Sequence, residues 1–182
     1  DAAWTALAAK HPDQIPRRGP GANLIVNGDF ETEPLQGGLD WRVMETAGVT
    51  ARTVSSVFYS GGRSLEIRFT GCGNISYVHV VQFVPVRPGT RFRFVAYLRA
   101  EGITTDRGLR IELRDHFDPA ELLVTLPELL GSASWSAYSV EFTTGPATSL
   151  LAVRVLRPPS EKFLHEFRGT LWFDNVSLVP IP

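Results

Sequence analysis

The sequence is poor in cysteine, in net charge and in long apolar runs, and each shortage removes a class of protein. Of 182 residues only Cys72 carries a thiol, so no internal disulfide can form. It stands between Gly71 and Gly73 in what reads as a loop, with no helix start and no matched His and Asn spacing to mark a nucleophile. Eighteen Lys and Arg against nineteen Asp and Glu leave a formal net charge of −1, which offers no electrostatic footprint for nucleic acid or an anionic membrane. No apolar run approaches the roughly 18 residues a membrane-spanning helix needs, and the N-terminus lacks the charged-then-apolar order of a signal peptide. Membrane insertion is therefore not expected. His11, His79, His116 and His165 have no metal-ligand spacing, and no Ser or Cys sits in a nucleophile-elbow motif. Glu112, Asp115 and Glu121 could supply a carboxylate pair for glycoside hydrolysis, but almost any all-β chain offers as much, so no enzyme is expected.

What is present is alternation. Leu65, Ile67 and Phe69 alternate with Glu66 and Arg68; Phe92, Phe94, Ala96 and Leu98 with Arg93, Val95, Tyr97 and Arg99; Leu109, Ile111 and Leu113 with Arg110, Glu112 and Arg114. Further strands are expected over 49–54, 77–86, 138–142, 150–156 and 170–179, separated by turns such as Arg87-Pro88-Gly89-Thr90. This pattern, without a long helix, predicts an all-β fold of two antiparallel sheets, a jelly-roll sandwich spanning residues 23–182. Residues 118–130 read equally as a helical turn or a loop. In the last strand Leu171 and Phe173 share one parity and Val176 and Leu178 the other, so a β-bulge is expected at Asp174-Asn175.

Ahead of the strands, residues 1–22 read as a separate piece. Trp4, Leu7 and Ala8 lie on one face of an expected short helix, followed by a Pro-, Gly- and Arg-rich linker. The chain opens on Asp1 rather than methionine and is expected to be a segment of a longer protein, this helix being either a strut on the β-domain or the end of a preceding helical domain.

Several landmarks fall in a familiar order. Asn23-Leu24-Ile25-Val26-Asn27-Gly28-Asp29-Phe30-Glu31 followed by Trp41, then Tyr59-Ser60-Gly61-Gly62-Arg63-Ser64-Leu65, Gln82 leading to Pro88-Gly89-Thr90, Trp135 with Tyr138 and Phe142, and Phe173-Asp174-Asn175-Val176-Ser177-Leu178 resemble the carbohydrate-binding modules of families 4, 9 and 22, which have a galactose-binding-domain-like jelly-roll fold. The set Asn27-Gly28-Asp29-Phe30-Glu31, Leu39-Asp40-Trp41-Arg42, Thr105-Asp106-Arg107-Gly108-Leu109-Arg110 and Gly169-Thr170-Leu171-Trp172-Phe173-Asp174 is also similar to jelly-roll domains C-terminal to tetratricopeptide-type repeats in bacterial proteins. The resemblance implies a non-catalytic module in a bacterial, exported or cell-envelope setting, with a polysaccharide ligand or, alternatively, a protein partner docked at the end of a helical-repeat protein.

The same resemblance implies a structural calcium ion held by the Asp29 carbonyl, the Glu31 carboxylate, the Arg63 carbonyl and the Asp174 carboxylate, all hard oxygens. Trp41, Trp135 and Trp172 are expected to fill the core or close a sheet edge rather than to meet sugar. Non-core parity instead places Gln82, Arg93, Tyr97, Arg99, Arg110, Glu112, Arg114 and Arg154 on the outer face of one sheet, which in the family is the concave binding face. Gln82, Tyr97, Arg99, Arg110, Glu112 and Arg114 are the candidate ligand contacts. The arginine fork suits carboxylate, phosphate or sulfate, so an acidic glycan is expected over a neutral one. A protein partner, or a solvated face laced with Arg-Glu pairs, remains open beside it.

Overall fold

The computed structural model describes residues 21–182 except 75, 105 and 162–165, and without the side chains of residues 72 and 77. The expected helix and nearly all of the expected linker lie outside the described residues. The strands are β1 (Arg42–Val43), β2 (Val49–Val54), β3 (Ser64–Cys72), β4 (Tyr77–Pro85), β5 (Arg91–Ile103), β6 (Arg110–Asp115), β7 (Leu123–Thr125), β8 (Gly131–Thr143), β9 (Leu150–Arg157) and β10 (Phe167–Pro180). They form two five-stranded sheets, in the orders β1-β4-β9-β6-β7 and β2-β3-β10-β5-β8, with every pairing antiparallel.

The alternation read from the sequence is the reason for this arrangement. Leu65, Ile67 and Phe69 on β3, Phe92, Phe94, Ala96 and Leu98 on β5, and Leu171 and Phe173 on β10 turn inward from the second sheet. Val80, Val84, Ile111, Leu113, Leu151, Val153 and Val155 meet them from the first. Side chains of this kind each contribute about 1.5–3 kcal/mol on full burial. The bulge in β10 is where expected: pairing with β5 slips between Asp174 and Ser177, Asn175 takes φ 48°, and Val176 and Leu178 return to the core.

Before β1 the chain runs without regular structure along β10. Leu24 N donates to Leu178 O at 2.8 Å and Val176 N to Gly28 O at 2.8 Å, while the Asn23 side chain bonds the backbone of Val176 and Leu178. Gly28 is needed for this approach, since a Cβ there would lie 2.2 Å from the Val176 carbonyl oxygen. Phe30, Trp41 and Phe173 then pack with ring centroids 5.5–5.6 Å apart.

Two readings are corrected. Residues 118–130 are neither a helical turn nor a plain loop: after a turn they form β7, which pairs with β6, and Leu122, Leu126 and Leu129 are buried. Cys72 is the last residue of β3 rather than a loop residue.

Candidate functional site

The structure divides the expected binding face among three places. Gln82 has the same parity on β4 as Val80 and Val84 and points inward, 0% exposed. Its side-chain carbonyl accepts from Val26 N at 2.9 Å and its amide donates to Val26 O at 2.9 Å. It replaces a missing strand partner for the first segment and is not on any ligand face. Arg93, Tyr97 and Arg99 face outward from β5, in the second sheet, whereas Arg110, Glu112 and Arg114 on β6 and Arg154 on β9 face outward from the first. The single shared face is therefore two faces on opposite sides of the sandwich.

On the first sheet, pairing aligns Val81, Arg154, Glu112 and Thr125 in one row and Phe83, Ala152, Arg114 and Leu123 in the next. Arg154 reaches Glu112 at 3.1 Å, and Arg110 reaches Glu112 at 3.8 Å and Glu128 at 3.9 Å. Glu128 is shared with Arg107, at 3.2 Å. Burial lowers the pKa of Arg154; Glu112 opposes that shift, and the Arg114 and Arg110 charges add to it. A guanidinium does not lose its proton in practice, so the shift expresses first the cost of burying the Arg154 charge and, in smaller part, its repulsion by Arg114 and Arg110, which an anion would relieve. Beside the arginines lies an aromatic surface that sequence reasoning missed. Phe83 contacts the His116 ring at 4.6 Å, His116 contacts Phe117 at 5.0 Å, and the Arg42 guanidinium lies 4.9 Å from the Phe83 centroid. Phe117 is 72% exposed. Its place is set by Asp115, whose carboxylate accepts from Phe117 N at 2.7 Å and Asp118 N at 2.8 Å and whose pKa is lowered, first by the Asp118 bond. Asp115 and Glu112 lie on opposite faces of β6, so they do not form a carboxylate pair across a shared substrate.

Of the four expected calcium ligands, the Glu31 and Asp174 carboxylates both bond the loop after β2, to which Arg63 itself belongs. One Glu31 oxygen accepts from Gly62 N at 2.7 Å and Arg63 N at 3.1 Å. One Asp174 oxygen accepts from Tyr59 N at 2.8 Å and Ser60 N at 3.1 Å, and the other from Asn175 N at 2.6 Å. The pKa of Asp174 is raised, mainly by burial, with a smaller contribution from the Glu31 charge. Among the described residues no three His, Cys, Asp or Glu side chains gather as a metal site. The donor set is nevertheless chemically suited to calcium: two mutually repelling carboxylates with spare lone pairs, to be completed by carbonyl oxygens such as those of Asp29 and Arg63.

Of the tryptophans, Trp41 is in the core, Trp172 is 5% exposed on the outward side of the second sheet with Arg99 over its ring at 5.2 Å, and Trp135 is half-buried on the edge strand β8.

A family model described as a carbohydrate binding domain matches residues 22–161. No curated protein matches the sequence. Among solved structures, a family 16 carbohydrate binding module superposes with a TM-score of 0.57 at 23% identity, over 86% of this chain and 99% of that one. The CBM22-1 xylan-binding domain of Paenibacillus barcinonensis Xyn10C gives 0.56 at 13% identity, over 89% and 96%. TmCBM61, solved with β-1,4-galactotriose, gives 0.57 at 16%, over 87% and 99%. These likenesses are of fold.

Proposed function

The chain belongs to the carbohydrate binding domain family, and on that premise we propose that this non-catalytic module binds an acidic polysaccharide on the outward face of its first sheet. The observation that carries the reading is that Arg110 and Arg154, paired with Glu112, and Arg114, in the same row of the sheet as Phe83, share one face with the Phe83–His116–Phe117 rings. Sugar C–H faces pack on aromatic rings, while a uronate carboxylate or a sulfate takes the guanidinium forks. Titration calorimetry of the domain with polygalacturonate and with a neutral galactan tests it. Arg154→Ala and Arg114→Ala are expected to weaken uronate binding roughly tenfold each, a loss of about 1.4 kcal/mol. Absence of binding to uronate or sulfated glycans at millimolar concentration rules the reading out. The competing occupant is a protein: capture of one specific partner by the full-length protein, lost in Arg154→Glu without any glycan affinity, favours docking instead.

We also propose a structural calcium ion at the Asp29 carbonyl, the Glu31 carboxylate, the Arg63 carbonyl and the Asp174 carboxylate. Its chemistry there is charge neutralisation, the ion screening the Glu31–Asp174 repulsion and fixing the loop that both carboxylates already grip.

A further inference from the structure

The second sheet turns an aromatic corner outward on the side of the sandwich opposite the arginine face. Tyr59, on the loop between β2 and β3, stacks on Tyr97 of β5 with ring centroids 3.7 Å apart and planes 17° apart. Trp135 of β8 closes the corner at 5.9 Å and 59° from Tyr59. Tyr59 is 42% exposed, and so is its neighbour Phe58.

Rings so exposed contribute little to the core, yet their position is tightly specified. Tyr59 N and Ser60 N are bound by Asp174, and Gly62 N and Arg63 N by Glu31. Between them Gly61 takes φ +67°, and a Cβ there would meet the Glu31 carboxylate at 2.2 Å. Asp174 lies opposite Tyr97 in the sheet, so the stack is fixed from the strand side as well. A loop tip held this way presents the exposed part of the Tyr59 ring without the ordering cost that a mobile loop would impose on binding.

The chemistry of the corner is that of a sugar platform. Two inclined rings match the C–H face and edge of a pyranose, and the Tyr59 and Tyr97 hydroxyls offer donors and acceptors at the rim. Its nearest charges differ from those of the first sheet's site. Arg99, outward on the same strand as Tyr97, is engaged over the Trp172 ring at 5.2 Å and by Glu101 at 3.8 Å, and the sheet's other outward arginines are held by carboxylates, Arg52 and Arg68 by Glu66 and Arg91 and Arg93 by Glu141.

We propose that the Tyr59–Tyr97–Trp135 corner is a second carbohydrate site, selecting a neutral β-linked pyranoside and acting independently of the arginine face. It rests on membership of the carbohydrate-binding family but not on the acidic ligand assigned to the first sheet. The test is two-dimensional NMR titration of the whole chain with xylohexaose, β-1,4-galactotriose and, in parallel, an oligogalacturonate. Ring signals of Tyr59 and Trp135 are expected to shift with at least one neutral oligosaccharide. Tyr59→Ala and Trp135→Ala are each expected to weaken that binding about tenfold, Tyr59→Phe much less, with uronate affinity unchanged in all three. Because Tyr59 is anchored through its backbone, the alanine variant is expected to keep its fold, and the wild-type ring shifts decide the matter if it does not. Neutral binding unaffected by both alanine variants, or no shift at either ring with any neutral probe, overturns the inference. Loss of uronate binding alone overturns only the arginine-face reading.

Discussion

Two buried polar side chains decide how much this sandwich tolerates change. Gln82 satisfies both backbone groups of Val26, itself buried, and Gln82→Ala would leave an N–H and a C=O without partners. Such a loss costs about 2–4 kcal/mol, which for a domain of this size lowers Tm by roughly 5–10 °C. A calorimetric melt checks this, with glycan affinity below the transition expected to be unchanged because Gln82 faces no ligand. His79 is the second. It is 0% exposed against the Phe69 ring, and its pKa is pushed down to about 3, first by burial and then by the Arg157 charge. The unfolded chain therefore takes up a proton near pH 6.5 that the folded one refuses. Stability contributed by neutral His79 is full above that pH and declines as pH falls toward 3, by at most about 1.4 kcal/mol per pH unit. Urea denaturation across this range is expected to show the slope in the native protein and a flatter one in His79→Phe. Equal slopes would mean that other groups set the acid limb.

At the scale of elements, the loop between β2 and β3 and the bulge in β10 act as one unit. The bulge brings Asp174 beneath the loop, the first segment brings Glu31 to its other end, and Gly61 leaves room for that carboxylate. Gly61→Ala combines a left-handed backbone with a clash against Glu31, and a loss of about 1–3 kcal/mol is expected, together with weakened neutral-glycan binding through Tyr59. The proposed calcium ion belongs to the same unit. Binding only the folded state, it would add about 2.7 kcal/mol at a hundredfold excess over Kd, so chelation should lower Tm by several degrees at neutral pH. Glu31→Ala and Asp174→Ala should each remove that sensitivity, and Glu112→Ala should not. The sign with pH is opposite to that of His79. The raised pKa of Asp174 means that its ionisation costs stability as pH rises above 3.8, and calcium would offset that cost only where the carboxylate is ionised. Chelator sensitivity should therefore fade as the pH falls and Asp174 takes up its proton. The bulge itself was legible, because the parity switch between Phe173 and Val176 has no other solution that buries all four apolar residues. The start of β8 was not: Gly131-Ser-Ala-Ser-Trp-Ser is an exposed edge with little apolar period, held in place by β5.

Across the whole molecule, the two proposed sites differ in what lines them, arginines at the first and tyrosines with a tryptophan at the second, and salt should separate them. Uronate affinity on the first sheet should fall steeply between 0.1 M and 1 M salt, where the Debye length shrinks from about 10 Å to about 3 Å, while neutral binding at the Tyr59 corner should change little. Affinity electrophoresis in the two buffers reads this directly. The faces also explain what sequence could and could not tell. Alternation identified outward residues on β5 and β6 correctly, but β4, β5 and β6 go to the first, second and first sheet in turn, so Tyr97 and Arg110 look in opposite directions. That crossover is set by how the sheets pack, which no single strand encodes. Gln82 misled for another reason: a polar residue in an apolar strand reads as outward unless the buried backbone it serves is known. The pairing of the first segment with β10 has a mechanical consequence. Leu24 bonds Leu178 and Gly28 bonds Val176, so the segment and β10 run in opposite directions and their outer ends emerge side by side. Tension applied between residue 22 and residue 182 would load these bonds one after another rather than all at once, peeling the segment away like a zipper. Pulled in an optical trap from those two points, the domain should shed residues 23–28 at low force before the sandwich itself yields.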